Sequence, residues 1–95
     1  MSAQPTVTVS HAGGTTYRVV VEEGGRRTTH DVTVTPEAAA RYAPAGTPVE
    51  RLLRASFAFL LERESKESIL ATFALPVIER YFPEYPQAIR EALQT

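Results

Sequence analysis

The chain has 95 residues, 43% of them apolar and 22% charged, which allows one domain with one core and excludes disorder across its bulk. Ten basic and eleven acidic side chains leave a net charge of −1, so no overall field draws in nucleic acid or an anionic membrane. There is no Cys, hence no disulfide, thiolate nucleophile or cysteine-ligated metal, and no apolar run approaches the roughly 20 residues of a membrane-spanning helix.

The first predicted strand covers 6–10, where Thr6 to Ser10 alternates and Val7 and Val9 share a face. His11, Ala12, Gly13 and Gly14 supply a permissive turn. A loop of three or five residues would bring Val7 and Val9 beside Tyr17. Strands over 15–22 and 27–34 then form a hairpin. With Gly24 and Gly25 at its tip, Glu23 pairs with Arg26, Glu22 with Arg27 and Arg18 with Asp31, while Tyr17 meets Val32, Val19 meets His30 and Val21 meets Thr28. A slip of one residue would send Val32 and Val34 to the polar face, so turn and strands select the same register. The three strands make an antiparallel meander with one apolar side that later segments must cover.

Helices follow over about 36–42, 48–64, 66–73, 76–82 and 86–94. Thr35 caps the first, with Pro36 at its first position. Thr47-Pro48-Val49-Glu50 reads as a capping box for the second. In that helix Val49, Leu52, Leu53, Ser56, Phe57, Leu60 and Leu61 form one stripe. Phe59 lies off it, which implies burial on more than one side, or a dimer surface. Ser65 is the expected cap of the third helix, with Ile69, Leu70 and Phe73 as its apolar contacts. Val77, Ile78, Tyr81 and Phe82 share a face of the fourth before Pro83 stops it, and Pro86 opens the last, carrying Ile89 and Leu93.

The stretch Glu67-Ser68-Ile69-Leu70 through Phe73, continuing as Leu75-Pro76-Val77-Ile78-Glu79-Arg80-Tyr81-Phe82-Pro83-Glu84-Tyr85, resembles the tail of a group of short bacterial proteins of unknown function. The similarity extends to His30-Asp31-Val32-Thr33-Val34 and to Phe57 through Glu64, about two thirds of the chain. It implies a bacterial, cytoplasmic origin and carries no functional residue with it.

Chemical motifs are few. Ile69 to Pro76 resembles the first helix and turn of a helix-turn-helix with Ala74 in the turn, but the segment after it spends Val77, Ile78, Tyr81 and Phe82 on packing and is cut at Pro83. His30, opposite Val19 on the inner face, reads as a hydrogen-bonded core or sheet-edge histidine. Asp31 points to the other side of the strand, and His11 sits in a turn, so no metal set forms. Neither glycine pair is followed by the helix and lysine of a phosphate loop.

The sequence therefore predicts a single α+β domain, a three-stranded meander covered by four to five helices, with no catalytic residue, cofactor or metal assigned. The expected role is a non-catalytic protein-interaction module, binding a protein partner or a second copy of itself, with Phe57, Phe59, Tyr81, Phe82 and Tyr85 as candidate anchors if exposed. The alternative is a small nucleic-acid-binding or antitoxin-like regulator, contacting its target through Arg18, Arg26 and Arg27. No membrane association is expected.

Overall fold

The structure, a computed structural model, describes residues 5–94. Strands β1 (Thr6–Gly13), β2 (Thr16–Glu23) and β3 (Arg26–Thr33) form the antiparallel meander, and β4 (Thr72–Ala74) adds to β3 in parallel, giving the order β1-β2-β3-β4. Helices α1 (Pro36–Tyr42), α2 (Val49–Leu61), α3 (Val77–Tyr81) and α4 (Tyr85–Leu93) complete an α+β fold.

The β2–β3 register is the one the side chains specify, from Thr16 opposite Thr33 to Glu23 opposite Arg26. Gly24 and Gly25 hold φ of +60° and +81° at the tip, the left-handed conformation a two-residue hairpin turn requires. The β1–β2 connection is shorter than expected. Gly13 pairs with Thr16 across a two-residue turn, and Ala12 bulges out of the ladder so that His11 meets Tyr17. Two turn residues plus one bulged residue preserve the odd count that the three- or five-residue loop would have supplied. Val7 and Val9 accordingly lie opposite Val21 and Val19.

Thr35 caps α1 as its sequence suggests, its Oγ1 accepting from the Ala38 amide at 3.1 Å. The capping box of α2 does not form. Pro48 is itself the cap residue, with an extended backbone whose carbonyl accepts from the Arg51 and Leu52 amides, so Thr47 stands one position too early. The Glu50 carboxylate turns instead to Arg54, 2.9 Å away. The helix ends at Leu61 rather than Glu64, where the Arg63 and Glu64 amides both close on the Leu60 carbonyl.

The segment 66–73 departs most from expectation. Instead of a helix it forms a short 3-10 turn, Lys66–Ser68, and then β4. The Asp31 amide donates to the Ala71 carbonyl at 2.7 Å and the Leu75 amide to the Thr33 carbonyl at 3.0 Å. Along β4 the exposure alternates, with Phe73 buried between exposed Thr72 and Ala74. Pairing with β3 satisfies outward-facing backbone groups that a helix here would leave bare. The helix-turn-helix resemblance at Ile69 to Pro76 ends with this strand.

The core lies between the inner sheet face and the helices. Val19, Val21, Val32, Tyr42, Leu53, Phe57, Leu75 and Tyr85 are fully buried. Fully burying one aliphatic side chain of this kind contributes about 1.5–3 kcal/mol. Phe57 reaches the sheet, with its ring 5.3 Å from His30 and 6.2 Å from Phe73. Phe59 faces away from the sheet and packs edge-on to Phe82 and Tyr85, which accounts for the apolar excess of α2 within the monomer.

Candidate functional site

The aromatic anchors proposed from sequence divide in the structure. Phe57, Phe59 and Tyr85 are core residues, Phe82 is half-buried, and Tyr81 alone stands out, 67% exposed. Tyr81 lies on the same side of α3 as Val77, Ile78 and Phe82, as the spacing predicts, but it is exposed there rather than spent on packing. α3 is short enough to bury Ile78 fully and leave Tyr81 on its rim.

Around Tyr81 the chain forms a groove of about 210 Å³ between the end of α2, the segment 68–73 and α3. Leu60, Ile69, Phe73, Val77 and Phe82 supply apolar lining. Leu70 and Tyr81, the large hydrophobic side chains that remain exposed among the described residues, both line this one groove. Its polar lining is Ser68 and Glu64. The Glu64 carboxylate is half-buried and has no ion-pair partner among the described residues.

The groove wall is fastened to the sheet through His30. A carbonyl only accepts, so Nδ1 carries the proton donated to the Leu70 carbonyl at 2.8 Å; in the singly protonated ring Nε2 then accepts from the Thr28 hydroxyl at 2.9 Å. The expectation of a hydrogen-bonded core histidine is met, with an added role in positioning Leu70. On the opposite side, Arg63 lies over the Phe59 ring at 3.6 Å, donates to the Phe59 carbonyl at 3.0 Å and pairs with Glu84 at 3.2 Å. The Glu84 carboxyl is held below the usual range by its own backbone amide and then by Arg63.

Behind the groove two buried tyrosines tie helices together. Tyr42 donates to Glu79 at 2.7 Å, and Arg41 reaches the same carboxylate at 3.2 Å. Burial first, and the Glu79 acceptor next, push the Tyr42 hydroxyl up to about 12. Tyr85 is pushed up more strongly, by burial, and shares its hydroxyl with Ser56 at 2.7 Å. These groups hold α1, α2, α3 and α4 in place; Arg41 and Glu79 also line a shallow charged depression with Pro76 and Arg80, and no group of three or more His, Asp or Glu suited to a metal occurs among the described residues.

The arginines of the alternative reading are partly occupied. Arg18 pairs with Asp31 and Arg27 with Glu22, each at 3.2 Å, while Arg26 lies near enough to Glu67 to help lower its carboxyl, after the larger effects of the Lys66 hydrogen bond and its own backbone amide. Among the described residues no helix is long and apolar enough to cross a membrane. Sequence reasoning missed the groove because it assigned Leu70 to a helix interior; the signal available was Thr72-Phe73, a β-branched and aromatic pair close before Pro76. Comparisons of the chain with protein-family models, curated proteins and solved structures give no match.

Proposed function

We propose that the protein is a non-catalytic interaction module that receives an apolar side chain of a partner polypeptide in the groove between α2, β4 and α3. The observation that carries this reading is the convergence of the exposed Leu70 and Tyr81 on one apolar depression. At about 210 Å³ it is smaller than the roughly 300–1,000 Å³ typical of small-molecule sites, and it suits one or two anchoring side chains. Glu64 at its edge, without an ion-pair partner among the described residues, favours an anchor flanked by Lys or Arg.

Selection of peptides from a random library against the protein tests this. Enriched peptides should combine an apolar residue with a neighbouring cation, shift the NMR signals of Leu70, Phe73 and Tyr81, and lose binding to the Leu70→Asp variant. Failure to enrich, or binding indifferent to Leu70→Asp, overturns the proposal.

A further inference from the structure

We infer that β1 is a self-recognition edge, through which two copies of the chain join antiparallel, β1 to β1, into one eight-stranded sheet. This deepens the interaction-module reading by naming a second copy as one partner, at a surface separate from the groove.

Sheet edges are ordinarily guarded by charge, proline, bulges or brevity. β4, one edge of this sheet, is guarded by brevity, three residues long with Pro76 shortly after. β1, the other edge, runs for eight residues, TVTVSHAG, with no Asp, Glu, Lys or Arg and with its bulge only at the far end. Among the described residues nothing pairs with its outer side.

The backbone groups facing that side follow from the register. A two-residue turn makes Glu23 and Arg26 a hydrogen-bonded pair, and the alternation of an antiparallel ladder then turns the odd residues of β2 toward β3 and the even ones toward β1. The Val34 amide bonded to the Thr15 carbonyl agrees with this parity. Thr6, Thr8 and Ser10 thus spend their backbone groups on Glu22, Val20 and Arg18, while Val7 and Val9 direct theirs outward.

A two-fold axis at Thr8 satisfies them. Val7 of one copy then exchanges hydrogen bonds with Val9 of the other, and the reverse. On the inner face this aligns Val21, Val7, then Val9 and Val19 of the second copy in one unbroken row, and the symmetry repeats it. Val7 and Val9 are half-exposed in the monomer, and this row covers them. On the outer face Thr8 meets Thr8 between flanking Val20 residues, and Thr6 meets Ser10, so no like charges oppose each other. A strand pair of this length sits at the small end of specific interfaces, so the dimer is concentration-dependent rather than permanent.

The test uses sedimentation velocity on the full chain over a roughly hundredfold concentration series, with circular dichroism to verify folding. Wild type should shift from monomer toward dimer. Thr8→Lys and Thr8→Glu, which change an exposed side chain on the proposed axis, should each stay monomeric, and an equimolar mixture of the two should regain association. Amide exchange at Val7 and Val9 should slow as wild type dimerises. Wild type monomeric throughout the series, or both variants dimerising like wild type, overturns the inference. Leu70→Asp separates the two surfaces: it should abolish peptide binding in the groove and leave self-association intact, whereas loss of self-association in Leu70→Asp alone would place the dimer contact at the groove.

Discussion

The buried hydroxyl pair between α2 and α4 makes an unequal prediction for its two members. Ser56 and Tyr85 are both fully buried, and Ser56 has a single proton, donated to the Leu52 carbonyl at 2.7 Å. Tyr85 must therefore be the donor in the 2.7 Å contact between the two side chains. Removing that donor with Tyr85→Phe leaves Ser56 still bonded to Leu52, so the loss is that of one ordinary hydrogen bond, about 0.5–1.5 kcal/mol. Removing the acceptor with Ser56→Ala strands a buried tyrosine O–H, at about 1–3 kcal/mol, because the desolvation of the donor is no longer compensated. Introduced into the Ser56→Ala background, Tyr85→Phe should consequently be neutral or stabilising. Urea unfolding followed by circular dichroism on the four proteins of the cycle measures the coupling, provided the m-values agree. Additive losses, or a larger loss from Tyr85→Phe than from Ser56→Ala, would refute the proton assignment and with it the account of how α4 is held on α2.

Three further outcomes follow from the same geometry. Because the folded state raises the Tyr42 hydroxyl to about 12 from its unfolded value of 10.0, the protonated form is favoured on folding: the contribution is complete below pH 10 and is lost as pH climbs toward 12, and Tyr42→Phe should flatten that alkaline decline in urea midpoints. His30→Leu should leave the hairpin protected while amide exchange around Leu70 and Ala71 accelerates, since the Nδ1 tether to the Leu70 carbonyl is gone. Gly25→Ala meets no atom within 4 Å yet should cost about 1–2 kcal/mol in thermal or urea unfolding, from the left-handed backbone alone.

What could be read from the sequence depended on how many local signals had to agree. In the hairpin, turn chemistry, charge pairing and apolar alternation each exclude the one-residue slip, and the observed pairs match throughout. Thr35 and Pro36 likewise marked the start of α1 by chemistry confined to one turn. The Thr47 cap failed because Pro48 satisfied the same orphan amides by backbone geometry, a competition that composition does not resolve. β4 was invisible for a different reason. Three residues are too few to establish a period of two, Ile69, Leu70 and Phe73 have helix-compatible spacing, and the hydrogen-bond partners of the strand lie in a distant part of the chain. The site inherited that error: the groove exists because Leu70 is outside a helix, and whether Phe57, Phe59 or Tyr85 is accessible depends on which helices cover them, a tertiary outcome.

The parallel seam between β3 and β4 has a kinetic corollary. Thr72 lies opposite Asp31 with about forty residues of helix and turn intervening, so this ladder closes the largest loop in the sheet for the shortest run of bonds. Such a seam zips last and frays first. The frayed strip includes one bank of the depression beside Tyr81, so a guest lodged there would staple the late-arriving strand to the helical layer, and occupancy would be read out as a longer native lifetime of the whole molecule.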